Sequence, residues 1–274
     1  MVHTKEEKLQ AFGRLLDVMD TLRERCPWDR KQTNQSLRPN TIEETYELCD
    51  ALLREDDLNI CKELGDVLLH IVFYARIGSE HGAFDIADVC NKLCDKLIYR
   101  HPHVYGNVEA NNCEQVLQNW EQLKTHEKDG NKTVLSGVPT SLPSLIKAAR
   151  IQEKASNVGF DWKERSDVWM KVKEELGEFE AEIANMDRDK ATREFGDLLF
   201  SLVNAARLYH INPDTALEHT NRKFIDRFTY VEMAARKQGR ELSQLSLAEM
   251  DALWEEAKEK LKKPLPRLPQ GEEP

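Results

Sequence analysis

Residues that interrupt helices are scarce in this sequence. The 274 residues include 12 glycines and 10 prolines, whereas average usage is about 7% glycine and about 5% proline. Such scarcity indicates a helix-rich protein with few turns and argues against folds that depend on many tight turns. The length exceeds one typical domain and suggests two domains of modest size.

An excess of positive charge and a long apolar run are also missing. The formal net charge of −10 disfavours a broad nucleic-acid or membrane-surface footprint, although a local basic pocket for phosphates is compatible with it. The longest apolar run, residues 67–75, is interrupted by His70 and is too short to span a bilayer. No N-terminal stretch has the layout of a signal peptide. The sequence therefore predicts a cytoplasmic protein that binds neither nucleic acid nor membranes.

Cysteine is absent from the second half of the chain. This distribution favours reduced thiols over a disulfide framework. Cys90 and Cys94, followed by His101 and His103, are an alternative zinc site, but their spacing matches no standard zinc motif. The six cysteines are Cys26, Cys49, Cys61, Cys90, Cys94 and Cys113.

Apolar residues at helical spacing predict helices throughout the chain. The second helix is predicted to begin with a capping box of Thr41 and Glu44, and a helix of the second half to begin at a Ser166 cap. Ser246 and Glu249 predict the cap of the last helix. The predicted organisation is an N-terminal helical unit at 1–127, a linker at 128–143, a C-terminal helical unit at 144–263 and a disordered tail at 264–274.

Two groups of acidic residues stand close together in the second half. Side chains at positions i, i+1 and i+4 of a helix fall within roughly a 100° arc, and side chains three apart share a face. If the two helices pack antiparallel, these carboxylates meet in one volume, where they require shifted pKa values or a cation. A hard divalent ion such as Mg²⁺, which prefers oxygen ligands, is the simplest neutraliser. The residues are Glu174, Glu175 and Glu178 in the first group, and Glu194 and Asp197 in the second.

The same acidic pattern occurs in the first half at a constant offset of 131 residues. Self-similarity over this length predicts a tandem duplication of an all-α unit. The corresponding metal-binding candidates are Glu43, Glu44, Glu47, Glu63 and Asp66.

The differences between the copies favour the second as the catalytic one. Lys171 and Lys190 flank its acidic residues, whereas asparagines stand at both positions in the first copy. Asn204, on a polar stripe that begins at Asp197, is an amide able to read a sugar or base, and Phe73 corresponds to it. The first copy is therefore predicted to be structural, regulatory or weakly active.

Further downstream, Lys223 and Arg227 lie four residues apart and thus on one helix face, which Asn221 joins. Fixed cations beside metal-bridging carboxylates suit a polyphosphate ligand. Trp254 is an aromatic suited to stacking on a base, with a core or interface role as the alternative.

The doubled acidic motif, together with Cys26-Pro-Trp-Asp29, Arg100-His-Pro-His-Val104 and Asn221-Arg-Lys-Phe-x-x-Arg-Phe228, resembles the MazG family of tandem-domain nucleoside triphosphate pyrophosphohydrolases. The resemblance covers about residues 5–263. It implies a duplicated four-helix-type unit that forms a homodimer. It also implies hydrolysis of nucleoside triphosphates to monophosphate and pyrophosphate, dependent on Mg²⁺, with Mn²⁺ as an alternative.

The resemblance also assigns residue roles. It implies that Glu174, Glu175, Glu178, Glu194 and Asp197 hold metal. Lys223 and Arg227 would contact phosphates, and Trp254 would lie near the nucleotide. Arg193 departs from the pattern, because members often carry Glu at this position.

The catalytic mechanism and the function class leave alternatives open. Glu175 and Glu178 are both candidates for the general base, in a catalytic group that also includes Glu174. Two other functions are compatible with inward-facing carboxylates: a nucleotide-binding regulatory module without turnover, and a di-iron carboxylate bundle. The second is disfavoured because that class uses Glu-x-x-His pairs, whereas both copies here have Glu-x-x-Asp.

Overall fold

The computed structural model describes residues 2–108, 112, 115, 116, 119, 120, 123 and 133–261, and these residues contain helices and no β-strand. The chain divides into two compact units, residues 1–128 and 129–274. This division falls within the predicted linker at 128–143, whereas the predicted tail at 264–274 lies outside the described residues. None of the described helices combines the length and apolar character needed to cross a bilayer.

In the part of the first unit up to residue 108, the structure describes four long helices and one short one. A single turn of 3₁₀ helix at Asp29–Lys31 lies between the first two. The helices are α1 (Lys5–Arg25), α2 (Asn34–Leu53), α3 (Asp57–Glu80), α4 (Ile86–Arg100) and α5 (Pro102–Tyr105). Residues of α1, α2 and α3 form the buried core, which consists of Met19, Leu37, Val72, Phe73 and Ile77.

Helix α2 begins earlier than predicted. A capping box of Thr33 and Ser36 starts it at Asn34, so the predicted start at Thr41 with Glu44 was wrong. Pro39 is the sixth residue of the helix, and because proline has no N–H the helix forms one backbone hydrogen bond fewer there. Because Thr41 is an interior residue, its hydroxyl donates to the carbonyl of Leu37 at 3.0 Å.

The second unit contains five long helices in the described part of the chain. Its core includes Val168, Val172, Leu198 and Ala205. The predicted Ser166 cap was wrong, because Ser166 lies in a 3₁₀ turn and no side chain caps the helix that follows. The Ser246–Glu249 capping box was confirmed. The helices are α6 (Ser144–Ser156), α7 (Val168–Ala184), α8 (Arg188–Leu208), α9 (Pro213–Lys237) and α10 (Leu247–Lys260).

Each unit contains a helical hairpin, α2–α3 in the first unit and α7–α8 in the second. Each hairpin turns at a residue in the left-handed region, Glu55 with φ 53° and Met186 with φ 55°. The next residue, Asp56 or Asp187, caps the second helix. These positions differ by the same 131 residues as the acidic motif. The described structure thus confirms an all-α fold. The repeat extends to the backbone conformation of the hairpin turn.

Candidate active site

Three carboxylates of the second unit meet across its hairpin. Glu175 on α7 and Glu194 and Asp197 on α8 offer oxygen atoms that all lie within 4.8 Å of one another. Glu175 is buried, Glu194 is half-buried and Asp197 is exposed. We call these residues the second carboxylate group. The group contains side chains of both helices, and its exposed member Asp197 makes it accessible to a cation from solvent.

The charges of the second carboxylate group oppose one another. Burial raises the pKa of Glu194, and the nearby charges of Glu178 and Asp197 raise it further. Glu182, one helical turn beyond Glu178, adds to this effect and was not singled out from the sequence. A divalent cation would relieve the repulsion by favouring the ionised carboxylates.

Lys171 supplies positive charge to the same place. Its Nζ lies 2.6 Å from Oε1 of Glu175 and 2.9 Å from Oε1 of Glu174. Hydrogen bonds to Glu175 and then to Glu174 raise the pKa of Lys171. Glu174 and Glu178 are exposed and lie outside the group of three. Their metal-binding and catalytic roles stay predictions.

Because the Lys171 ammonium occupies an oxygen of Glu175, Lys171→Met is expected to strengthen the binding of Mn²⁺ in the absence of nucleotide. The dissociation constant measured by calorimetry should fall about three- to tenfold, since a nearby positive charge is removed. Lys173→Met, two residues along the same helix, is the matched control and should leave the constant unchanged. Weaker binding in Lys171→Met would show that the lysine orients Glu175 for metal instead of competing with it.

The first unit contains an equivalent first carboxylate group, formed by Glu44, Glu63 and Asp66, with oxygens also within 4.8 Å of one another. Oε2 of the buried Glu63 has no hydrogen-bond partner among the described residues. Burial, followed by the charge of Asp66, raises the pKa of Glu44. An orphaned buried oxygen and a carboxyl with a raised pKa are features that fit a cation. Glu43 and Glu47 are exposed and lie outside this group.

The lysine that neutralises each group comes from a different helix. In the first unit it is Lys62 on α3, whose Nζ lies 2.8 Å from Glu63 and 3.7 Å from Asp66. In the second unit it is Lys171 on α7. At the offset of 131, Lys62 of the first unit corresponds to Arg193 of the second. Both units therefore carry a basic residue at this position. Sequence reasoning missed Lys62, although comparison of the residues before the two Glu-x-x-Asp motifs would have found it.

On the part of α3 that follows Asp66, the first unit has larger side chains than the second unit has at the corresponding positions of α8. The Thr41 hydroxyl lies 3.1 Å from Nδ1 of the buried His70 and 2.5 Å from the Tyr74 hydroxyl. Burial lowers the pKa of His70, so the imidazole is neutral at pH 7. At the offset of 131, Ser201 and Ala205 of the second unit correspond to His70 and Tyr74 of the first. The second unit therefore has smaller side chains along this face.

The predicted phosphate-binding residues fall into two sets. Lys190 lies 3.3 Å from Asp187, the N-cap of its helix, and Asn221 lies 3.3 Å from Glu218, one turn earlier on its own helix. The structure therefore does not bring these two side chains onto the carboxylates. Lys223 is exposed.

Arg227 and Trp254 form the second set. The guanidinium of Arg227 lies over the Trp254 ring, 5.8 Å from its centroid. Phe224, with its ring 5.0 Å from Trp254, extends the same surface. Cation–π contact keeps the arginine beside the indole. The structure thus brings together the predicted phosphate-binding arginine and base-stacking tryptophan.

The zinc alternative was wrong. In the described part of the chain, the two carboxylate groups are the only sets of three or more metal-ligating side chains. Cys90 and Cys94 are free and exposed. Nδ1 of His101 lies 2.6 Å from the carbonyl of Leu97, so this ring nitrogen contacts the end of its own helix. Since neither carboxylate group contains a histidine, the di-iron alternative also loses its support.

Duplicated helical hairpins that each gather three carboxylates define a class of all-α proteins with paired candidate metal sites. The family model of the MazG nucleotide pyrophosphohydrolase domain matches residues 32–105 and 166–231. The chain therefore belongs to the MazG family and carries its domain twice. Each match contains one complete carboxylate group.

Curated relatives extend this similarity over most of the chain. The Escherichia coli K12 nucleoside triphosphate pyrophosphohydrolase is 42% identical over 257 residues, which cover 91% of this chain and 98% of that protein. The Thermotoga maritima nucleoside triphosphate pyrophosphohydrolase/pyrophosphatase MazG is 44% identical over 250 residues, which cover 90% and 95%. The uncharacterized protein YabN of Bacillus subtilis is 47% identical over 261 residues, which cover 93% and 53%.

Proposed function

We propose that this protein is a Mg²⁺-dependent nucleoside triphosphate pyrophosphohydrolase whose second unit is the catalytic one. It would hydrolyse ribo- or deoxynucleoside triphosphates to the monophosphate and pyrophosphate through attack of water on the α-phosphorus. The observation that carries the proposal is the second carboxylate group, which lies within a MazG domain and bears a raised Glu194 pKa. The names of the Escherichia coli and Thermotoga relatives support the same reaction.

In this proposal Glu175, Glu194 and Asp197 hold Mg²⁺, or Mn²⁺ in its place, with Glu174 and Glu178 available beside them. A bound ion of this kind lowers the pKa of water and stabilises charge on phosphoryl oxygens. We favour the Glu178 carboxylate as the base that accepts the water proton. Glu175 is less suited to that role, because its Oε1 already accepts a hydrogen bond from Lys171 at 2.6 Å.

The basic residues would neutralise the triphosphate. Lys171 lies on the carboxylates, and Lys190 and Lys223 are exposed and able to turn toward phosphate. Arg227 would contact phosphate while Trp254 stacks on the base. Two amide side chains complete the proposed substrate-binding set, namely Asn204 and Asn221.

For the first unit we propose nucleotide binding without efficient turnover. A cavity of about 470 Å³ lies beside its carboxylate group, between α2 and α3. Its lining combines Tyr46, Arg54 and Asn59 with four carboxylates, those of Glu43, Glu47, Asp50 and Glu63. A volume in the range of ligand sites, combined with asparagines in place of Lys171 and Lys190, supports a regulatory role over a catalytic one.

We further propose that the protein is a cytoplasmic homodimer. Phe195, Leu199 and Leu202 are 46%, 46% and 41% exposed on α8, at spacings that place them on one face. An exposed apolar stripe of this kind suits contact with a second copy. A monomeric mass by light scattering would contradict the dimer proposal.

The proposed cytoplasmic location is supported by free thiols at five described cysteines, which suit a reducing compartment.

The test of the activity is a nucleotide panel incubated with Mg²⁺ in ¹⁸O-labelled water. Monophosphate and pyrophosphate are the expected products, with the label in the monophosphate because water attacks the α-phosphorus. Label in pyrophosphate would place the attack at the β-phosphorus. Diphosphate with inorganic phosphate as products would contradict the proposed reaction altogether.

A further inference from the structure

Asn204, on the polar stripe of α8, is held by an arginine of the same helix. Its Oδ1 accepts hydrogen bonds from Nε of Arg207 at 3.1 Å and from Nη2 at 2.8 Å. Arg207 in turn binds the carboxylate of Asp161 with both terminal nitrogens, at 2.8 Å and 2.5 Å. Despite burial, which raises it, the pKa of Asp161 is lowered by Arg207 and by the backbone N–H of Trp162.

This contact fixes which end of the Asn204 amide faces outward. A guanidinium has only donors, so the amide atom that faces it must be the oxygen. The Nδ2 group then points away from Arg207, and no described residue accepts a hydrogen bond from it. Asn204 is half-buried. It therefore presents two donors and no free amide acceptor to a ligand.

The position of Asn204 relates it to the carboxylates. Asn204 lies seven residues after Asp197 on α8, which is two helical turns, or about 10 Å along the same face. Ser201, between them, is buried and donates to the carbonyl of Leu198 at 2.8 Å. The face leads from the metal-binding group toward Asn204, as a nucleotide extends from its phosphates to its nucleoside.

The first unit uses the equivalent arginine differently. Arg76 corresponds to Arg207 at the offset of 131, but it pairs with Asp20 at 2.6 Å and Glu80 at 3.2 Å. The residue at the position of Asn204 is Phe73, which belongs to the core. The duplication therefore provides the arginine in both units, whereas only the second unit has an amide for it to orient.

We propose that Arg207 is a positioning residue that holds Asn204 as a hydrogen-bond donor to an acceptor atom of the nucleoside, and that Asp161 fixes Arg207 for this purpose. The acceptor is a sugar oxygen or a base oxygen or nitrogen. This inference rests on the proposed function and deepens it. It assigns recognition of the nucleoside, separately from the phosphates, to a three-residue chain in the second unit.

The test uses Asn204→Asp, which keeps the shape of the side chain and replaces the donors with an acceptor, and Arg207→Met, which keeps the apolar stem. Both variants should raise KM for a nucleoside triphosphate about ten- to a hundredfold, as expected for losing one or two hydrogen bonds of about 1.4 kcal/mol each. The kcat should change less than about threefold. Inorganic tripolyphosphate, which lacks a nucleoside, should inhibit wild type and variants with the same Ki.

A double variant with both substitutions should be no weaker than Asn204→Asp alone, because both act through one donor. Arg207→Lys should recover part of the loss, and Arg76→Lys in the first unit should leave KM unchanged. Unchanged KM in Arg207→Met, or an equal rise in the tripolyphosphate Ki, would overturn the inference. Ribose 5-triphosphate then locates the acceptor, since loss of discrimination against it in the variants indicates a base atom and retained discrimination a sugar oxygen.

The result is separable from that of the proposed function. If the wild type hydrolyses no nucleotide, the proposed reaction fails. Calorimetric binding of a non-hydrolysable nucleoside triphosphate to wild type, Asn204→Asp and Arg207→Met still tests the inference. Equal affinities in the three proteins would overturn it under those conditions.

Discussion

Asp197→Ala is expected to lower kcat for nucleoside triphosphate hydrolysis by at least about a thousandfold, whereas Asp66→Ala should lower it by less than about threefold. The two residues occupy equivalent positions in the two carboxylate groups. Loss of a metal ligand removes both the activation of water and the stabilisation of phosphoryl charge, each of which contributes several kcal/mol. The difference follows if only the second unit turns substrate over.

The measurement is a steady-state assay with saturating Mg²⁺, accompanied by thermal denaturation of both variants. Neither variant should show a large decrease in Tm, because each loses one carboxylate from a group of like charges. Asp66→Ala also loses the 3.7 Å contact with Lys62, but a surface ion pair of this kind contributes little stability. Asp66→Ala is the matched control for any general effect of removing a carboxylate from a hairpin. Equal losses in the two variants would contradict the assignment of catalysis to the second unit, and a larger loss in Asp66→Ala would reverse it.

Glu194→Gln is expected to stabilise the metal-free protein and to abolish its stabilisation by Mg²⁺. Burial and then the charges of Glu178 and Asp197 raise the pKa of Glu194 in the folded state. A carboxyl with a raised folded pKa contributes stability that is fully present below the unfolded pKa and is lost as the pH rises through the folded pKa. Glutamine mimics the protonated carboxyl, so the variant keeps this stability at neutral pH.

The second part of this prediction concerns the metal. Wild type should gain about 2.7 kcal/mol when Mg²⁺ is at a hundred times its dissociation constant, whereas Glu194→Gln should show almost no increase in Tm under the same conditions. The experiment is thermal denaturation with and without Mg²⁺ between pH 5 and pH 8. Glu180→Gln, at an exposed position of α7, is the matched control. A lower metal-free Tm together with an intact Mg²⁺ shift would contradict the prediction.

Periodicity was sufficient for the features that depend on helix geometry. The hairpins and the meeting of Glu175 with Glu194 and Asp197 follow from residues that recur on one face of a helix, and the offset between the copies follows from comparing the two halves of the chain. The carboxylates are brought together because short turns force neighbouring helices to pack antiparallel. Glu174 and Glu178 were grouped with them because an arc of about 100° does not separate a buried position from its exposed neighbours.

Local signals failed where a cap departs from the usual sequence pattern. Helix α2 begins at a capping box whose third residue is Ser36 instead of Glu or Gln. The pair Thr41 and Glu44 fits the usual pattern better, and Pro39 reads as a boundary. The packing of Leu37 in the core outweighs both signals, because burial of the first turn stabilises a helix beyond its local sequence preference.

Contacts between distant side chains could not be predicted from spacing. Arg207 and Asp161 are 46 residues apart, and nothing in a helical pattern indicates which loop carboxylate reaches which helix. The directions of Lys62 and Lys171 were equally unpredictable, because a long lysine stem allows its ammonium to reach several carboxylates. Only the folded arrangement decides that Lys62 binds Glu63 while Lys171 binds Glu175.

The left-handed residues at the two hairpin turns bear on the spacing of the carboxylates that face one another across each hairpin. A helix rotates about 100° with each residue, so the number of residues between α7 and α8 decides which side chains of α8 face Glu175. One added residue after Met186 would turn Glu194 and Asp197 away from Glu175 unless the whole of α8 shifted to compensate. The turn contributes no carboxylate to the group, yet its length sets the distance between the carboxylates on the two helices. Its conformation recurs at Glu55, so each hairpin carries the same turn together with the same spacing of carboxylates.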